Sequence, residues 1–119
     1  MSKIVVCEDD DLICKLVQII LRDLPHALYF ASNGLDGLAL IERERPGLIF
    51  TDQNMDGLDG FKLCAELKAR EHLAHIPVIL VSGEALNEDQ CANGPFAAVL
   101  RKPFHTNTLH TKVEELLPA

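Results

Sequence analysis

Residues 48–55 read LIFTDQNM, a short apolar run that ends on Asp52. Its apolar residues are consecutive rather than alternating, a pattern that predicts a strand covered on both faces, as in a parallel sheet. Four similar runs follow or precede it along the chain, at residues 4–7, 27–30, 78–81 and 97–100. The sequence therefore predicts five strands of one parallel sheet.

Helical periodicity fills the segments between these runs. After the first run, apolar residues recur at steps of three and four, which predicts a helix with one apolar face: Ile13, Leu16, Val17, Ile20 and Leu21. A second helix is entered through residues 32–34, a third begins near Asp59 as its N-cap, a short fourth spans residues 84–91, and the last begins near residue 105 or 106. This alternation, with right-handed crossovers, predicts a doubly wound α/β fold with helices on both faces.

Length and charge limit the possible classes of protein. The 119 residues fit one compact domain, expected over residues 1–119, and 48% hydrophobic residues suffice for a core. No apolar run approaches the roughly 20 residues that cross a bilayer, and the four apolar residues before Glu8 are too few for a signal peptide, so we expect a cytoplasmic protein without membrane insertion. The formal net charge of −7 argues against direct binding to nucleic acid.

The four cysteines are expected to be reduced thiols. They form no C-x-x-C pair, and no secretory signal accompanies them. The scattered histidines do not complete a zinc-binding spacing with them. We therefore do not expect a disulfide framework or a zinc site.

Polar residues stand at four of the five predicted strand ends. The first strand ends in Glu8-Asp9, the third in Asp52, the fourth in Ser82-Gly83 and the fifth in Lys102-Pro103. The carboxyl ends of parallel strands share one edge, where doubly wound sheets bind their ligands. Three carboxylates at close range repel one another unless a cation lies between them, and an all-oxygen set favours Mg²⁺ together with a phosphoryl group. Lys102 would supply a second positive charge.

At these positions the chain resembles the receiver domain of two-component response regulators over essentially its whole length, and most of all the chemotaxis receivers. The resemblance rests on four segments in order: IVVCEDD at residues 4–10, LIFTDQNM at 48–55, IPVILVSG at 76–83 and LRKPF at 100–104. It implies a flavodoxin-like sheet with strand order 2-1-3-4-5. It also implies that the chain accepts a phosphoryl group from a phosphohistidine, acting as a signalling domain rather than an enzyme with turnover on free substrates.

The resemblance assigns the metal ligands. Asp9 and Asp52 would bind Mg²⁺ directly, joined by the backbone carbonyl of Asn54, and Glu8 would act through a water molecule. The apolar residues of the following helix stand at the offsets from Asp9 that the family shows, so the resemblance implies that Glu8 and Asp9 are the metal pair. Asp10 and Asp11 then stand at the helix start, where negative charge is favourable.

The resemblance also assigns the phosphoryl contacts. Asp52 matches the phosphoacceptor, whose carboxylate would form an acyl phosphate. Ser82 and backbone N–H groups including that of Gly83 would donate to phosphoryl oxygens, and Lys102 would pair with the phosphoryl group and with Asp52. The Lys102-Pro103 bond matches a position that is usually cis.

The resemblance implies partners and a lifetime for the phosphorylated form. The donor would be a sensor histidine kinase or a histidine phosphotransfer protein, and a downstream protein would bind the face formed by the fourth helix, the fifth strand and the fifth helix. Asn54 and Glu84 occupy the positions that tune hydrolysis and match the chemotaxis receiver, which predicts a short-lived phosphorylated form.

Two positions depart from the family pattern. Val99 stands where the family usually has Tyr or Phe, whose ring swings inward when the Ser or Thr moves to the phosphoryl group. A branched aliphatic side chain cannot make that rotation, so an intermediate phosphotransfer or phosphate-sink domain remains an alternative, as does a receiver cut from a larger regulator or hybrid kinase. Asp56 stands where Pro is usual, adding an acid near the metal.

Three other classes fit the sequence less well. A phosphatase of the haloacid-dehalogenase type would need a second acid at the position of Asn54. A flavodoxin-like cofactor binder would need a phosphate-binding loop after the first strand, where residues 8–11 are all acidic. A pseudo-receiver would have lost Asp52 or Lys102, and both are present.

Overall fold

A computed structural model describes residues 2–83 and 96–117. Within these residues, five parallel strands form one sheet in the order β2-β1-β3-β4-β5. The strands are β1 (Lys3–Cys7), β2 (Ala27–Ala31), β3 (Leu48–Asp52), β4 (Val78–Ser82) and β5 (Ala98–Arg101). The predicted doubly wound fold and its strand order are confirmed.

Four helices are described: α1 (Asp11–Leu21), α2 (Gly34–Glu44), α3 (Gly60–Lys68) and the last helix, α4 (Thr106–Leu116). Three of them begin at polar N-caps. The side chains of Asp10, Asn33 and Asp59 accept hydrogen bonds from backbone N–H groups in the first turns of α1, α2 and α3. The fourth helix of the sequence prediction, residues 84–91, lies outside the described residues.

The sheet is covered on both faces, as its continuous apolar strands require. On one face, α1 and α4 pack against alternate strand residues through a cluster that includes Val17, Leu109, Val6, Phe50 and Val81. On the other, α2 and α3 pack against the intervening residues through a cluster that includes Ile41, Leu63, Val5, Ile49 and Val78. All residues of β3 and β4 are buried.

Three cysteines lie among the described residues, and all three are free thiols, as expected. Burial raises the pKa of the Cys7 thiol to about 12. Cys91 lies outside the described residues. Within residues 2–83 and 96–117, no helix has the length and apolar character needed to cross a membrane.

Candidate functional site

The backbone register of the sheet brings the polar strand ends together. Asp52, the last residue of β3, pairs with Val81 of β4, so Ser82 follows directly beside it. Ser82 in turn pairs with Arg101 of β5, and Lys102 is the next residue. On the other side of β3, Cys7 pairs with Thr51, which places Glu8 beside Asp52. The predicted convergence of these ends at one edge is confirmed.

Three carboxylates meet at this edge. One oxygen from each of Glu8, Asp9 and Asp52 lies within 4.8 Å of the others. Glu8 and Asp52 are 2% and 7% exposed, whereas Asp9 is open to solvent. The site therefore combines two buried acids with a third, exposed acid.

The ammonium group of Lys102 faces the two buried acids. Lys102 Nζ lies 3.2 Å from Glu8 Oε2 and 3.3 Å from Asp52 Oδ2. Burial alone would lower the pKa of Lys102, but the charges of Glu8 and Asp52 and their hydrogen bonds raise it above its usual value. Lys102 is therefore held as a cation. The peptide bond between Lys102 and Pro103 is cis, as expected.

This arrangement shifts the pKa of the Glu8 carboxyl group. Burial, followed by the negative charge of Asp52, raises the pKa of Glu8 to about 7. The backbone N–H of Asp10, which donates to Glu8 Oε1 at 3.1 Å, and the Lys102 ammonium oppose this shift. Three carboxylates and one ammonium thus leave the pocket short of positive charge.

The loop after β3 is fixed by the start of α3. Gly60 donates its N–H to Gln53 O at 2.9 Å, and Gln53 N donates to Val81 O at 2.8 Å. A Cβ on Gly60 would lie 2.7 Å from Asp52 O, so only glycine permits this close approach. Gly57 has a φ of +80°, which suits the turn inside the loop.

The same loop borders a cavity of about 390 Å³ beside the acids, whose lining residues include Asp9, Asn54 and Asp56. Asn54 thus lines the same cavity as Asp9. Asp56 lines the same cavity as Asp9, which agrees with the expectation that it adds an acid near the metal position.

The Ser82 hydroxyl has a partner that the sequence reasoning missed. Ser82 Oγ donates a hydrogen bond to Gln53 Oε1, and Ser82 is completely buried. Gly83, the next residue, is exposed, and among the described residues no atom lies within 4 Å of the position of a Cβ. The pattern of apolar runs could not predict this bond, because it does not indicate that the Gln53 side chain, in the loop after β3, turns toward β4. The one available hint was a polar residue directly after Asp52.

The donor set fits a hard divalent cation. The converging side chains offer only carboxylate oxygens, with no thiolate or imidazole among the three. The excess of negative charge would be balanced by a dication. Because the charge of Lys102 alone does not balance the carboxylates, a further anionic group could bind beside it only if such a cation is present.

Comparison with known proteins agrees with this geometry. Residues 4–114 match the sequence profile of the response regulator receiver domain. Chemotaxis protein CheY-3 of Vibrio cholerae is 30% identical over 117 residues, which cover 96% of this chain and 90% of that protein. The signal receiver domain of a histidine kinase from Syntrophus aciditrophicus superposes with a TM-score of 0.88 at 27% identity, over 98% of this chain and 90% of that one. The receiver domain of sensor histidine kinase PA1611 from Pseudomonas aeruginosa, solved with a magnesium ion coordinated in its active site cleft, superposes with a TM-score of 0.86 at 24% identity, over 99% of this chain and 98% of that one.

Proposed function

The chain belongs to the response regulator receiver family of two-component signalling, and from this membership we propose that Asp52 is its phosphoacceptor. The observation that carries the proposal is the cluster of Glu8, Asp9 and Asp52 with Lys102 Nζ 3.3 Å from Asp52. Phosphoryl transfer depends mainly on positioning and on neutralising charge, and this cluster offers both.

We propose Mg²⁺ as the cofactor. Asp9 and Asp52 would hold it directly with the backbone carbonyl of Asn54, and Glu8 would act through water. The magnesium ion in the PA1611 receiver supports this assignment. When bound, the ion would neutralise charge on the acids and on the phosphoryl oxygens.

The proposed transfer needs few groups of the protein. An oxygen of the Asp52 carboxylate bonds to phosphorus as the bond from phosphorus to the donor's imidazole nitrogen breaks, and the electron pair leaves with the imidazole. Lys102 pairs with an oxygen of the transferred group. The Ser82 hydroxyl and the N–H of the exposed Gly83 donate to the other oxygens.

The partners are also proposals. The donor would be a sensor histidine kinase or a histidine phosphotransfer protein, in the cytoplasm. A downstream protein would bind the face formed by β5, α4 and the predicted helix at residues 84–91. Residues 1–119 would act as one receiver domain whose chemistry is limited to its own phosphorylation and dephosphorylation.

Intact-protein mass after incubation with acetyl phosphate tests the proposal. Wild-type protein should gain one phosphoryl group with Mg²⁺ and none without it, and Asp52→Asn should gain none under either condition. Asp56→Asn, in the same loop but outside the proposed ligand set, should still be phosphorylated. If wild-type protein gains no mass after brief incubation and acid quench, the proposed function is wrong.

A second use of the same chemistry is favoured by Val99. Its side chain is half-buried on β5, where it pairs with Leu80. With no ring at this position to swing inward, the domain would pass phosphoryl groups onward or drain them. Rapid return of the phosphoryl group from Asp52 to a histidine phosphotransfer protein would support this use, and a stable phosphorylated form that binds an effector would contradict it.

A further inference from the structure

The hydrogen bond between Ser82 and Gln53 joins the two residues that flank Asp52 in space and in sequence. Gln53 directly follows Asp52 on the chain, and Ser82 directly follows Val81, the residue of β4 that pairs with Asp52. The Ser82 hydroxyl is completely buried and donates to the amide oxygen of the half-buried Gln53 side chain. The bond therefore lies beside the proposed phosphoacceptor.

The backbones on both sides of this bond are fixed. The N–H of Gln53 donates to Val81 O and so holds the residue to β4. The carbonyl of Gln53 accepts from the N–H of Gly60, which holds it to α3. Ser82 is held to β5, since its carbonyl accepts from Lys102 N at 2.8 Å. The distance that the Gln53 side chain must span to the Ser82 hydroxyl is thus fixed by the hydrogen bonds of the sheet and by the close contact with α3.

A serine hydroxyl has one hydrogen to donate. While Ser82 donates that hydrogen to Gln53 Oε1, it cannot donate it to a phosphoryl oxygen on Asp52. We propose that Gln53 is a positioning residue that holds the Ser82 hydroxyl in the unphosphorylated state and competes with the phosphoryl group for its hydrogen. This inference rests on the proposed function, because it takes Asp52 as the phosphoacceptor.

The competition has a direction. The Ser82–Gln53 bond stabilises only the state without a phosphoryl group, so its removal favours the state that has one. A typical net hydrogen bond corresponds to about a 2- to 10-fold change in an equilibrium constant. Loss of the Gln53 acceptor should therefore tighten binding of a phosphoryl mimic by about 2- to 10-fold.

Beryllofluoride, a tetrahedral mimic of the phosphoryl group, provides the measurement. Its affinity in the presence of Mg²⁺ would be determined by titration calorimetry for wild type, Gln53→Met and Gln53→Glu. Gln53→Met keeps the length of the side chain but removes the acceptor, and should bind about 2- to 10-fold more tightly. Gln53→Glu keeps an acceptor and should show no such gain. Gln18→Met, an exposed glutamine on α1, is the matched control and should bind as wild type does.

The same change in a Ser82→Ala background separates positioning from a structural role. Without the hydroxyl, Gln53→Met should leave the affinity for beryllofluoride unchanged, whereas a general effect of the substitution on the loop would appear in both backgrounds. Thermal unfolding of each variant confirms folding, and Gln53→Leu replaces Gln53→Met if the latter does not fold.

The outcomes distinguish the two claims. Equal or weaker binding by Gln53→Met, with normal binding by wild type, would overturn this inference and leave the proposed function standing. An equal gain with and without Ser82 would overturn it as well. Failure of wild-type protein to bind beryllofluoride would overturn the proposed function and this inference with it.

Discussion

Asp9 and Asp11 belong to the same acidic run but have opposite electrostatic surroundings. Asp9 lies within 4.8 Å of two other carboxylates, whereas Asp11 lies in the first turn of α1, where the helix dipole favours a negative charge. Asp9→Asn should therefore stabilise the protein in the absence of metal, raising the midpoint of thermal unfolding by about 3 °C, because it removes one repelling charge. The same variant should lose most of the stabilisation that added Mg²⁺ gives to wild type.

Asp11→Asn is the control for this prediction. It removes the same charge from the chain, but from a favourable position, so it should lower the midpoint slightly and keep the response to Mg²⁺. Equal effects of the two substitutions would show that net charge, rather than the carboxylate cluster, governs the stability.

At the scale of single residues, the sequence predicted the site from where apolar runs stop. Glu8, Asp52 and Lys102 each follow such a run, and the parallel sheet brings them together. The contact of Lys102 with Glu8 as well as Asp52 was not predicted. Neither was the bond from Ser82 to Gln53, because it depends on the path of a loop and on the rotamer of a long side chain, which strand patterns do not encode.

The position of α3 depends on the absence of a side chain at Gly60. A Cβ there would lie 2.7 Å from Asp52 O and 2.8 Å from Leu80 Cδ1, so Gly60→Ala must push the helix away from β3 and β4. We expect a loss of stability of about 1–3 kcal/mol, as for other overpacked sites, and slower phosphorylation by acetyl phosphate because the loop after Asp52 moves. Denaturant unfolding and the rate of mass gain measure the two effects.

Gly83→Ala is the matched control, since a Cβ at Gly83 meets no atom of residues 2–83 and 96–117 within 4 Å. Its stability should stay within about 0.5 kcal/mol of wild type. A Gly60→Ala variant as stable as Gly83→Ala would show that α3 can shift without cost, contrary to the packing argument.

The contact between the end of α1 and α4 should depend on pH through His110. His110 Nε2 lies 3.0 Å from Asp23 Oδ1, and its Nδ1 lies 2.9 Å from Glu114 Oε1. The hydrogen bond to Asp23, together with the charges of Asp23 and Glu114, raises the pKa of His110 above its ordinary 6.5. A raised pKa means that the folded state binds the proton more tightly, so this stabilisation is complete below pH 6.5 and is lost as pH rises through the raised value.

His110→Gln tests this dependence. Between pH 6.5 and the raised pKa, the melting temperature of wild type should fall relative to that of the variant, and the two curves should run parallel at higher pH. Titration of the imidazole by NMR gives the pKa directly. His75→Gln, at an exposed histidine before β4, is the control, and a change of the same form in that variant would contradict the assignment to His110.

At the scale of elements, the sequence located the strands to within a residue at each end. The differences at Asp52, Ser82 and Arg101 have one cause. The backbone ladder continues past the apolar run, so that Asp52 pairs with Val81 and Ser82 with Arg101, although these residues are polar or charged. Hydrophobic patterns report burial, whereas strand ends are set by backbone hydrogen bonds. The N-caps were more predictable, since Asp59 acts through its own side chain.

In the molecule as a whole, each of the inner strands β1, β3 and β4 packs against both layers of helices. Val5 and Ile49 face α2 and α3, while Val6 and Phe50 face α1 and α4. A continuous apolar run is the sequence signature of this arrangement, which explains why the fold class could be predicted. The ion pair of Asp23 with His110 joins residues 87 positions apart and could not be predicted, because exposed charges leave no periodic signal.

The transmission of a signal from the site to the face of β5 and α4 is the property of the whole molecule that Val99 puts in question. Val99 is half-buried and lies three residues before Lys102, on the strand that joins the site to that face. A β-branched side chain has few χ1 rotamers and no ring to move inward, so we expect the binding of beryllofluoride and Mg²⁺ to perturb the strand ends while leaving β5 and α4 close to their free positions.

Amide chemical shifts of free and bound protein measure this, with Leu109 and Val113 as reporters in the core of α4. Val99→Ala, which shortens the side chain without touching the acids, should change neither the affinity for beryllofluoride nor the pattern of shifts. Large shifts at Leu109 and Val113 in wild type, lost in Val99→Ala, would show that valine does transmit the signal and would count against a role limited to relaying or draining phosphoryl groups.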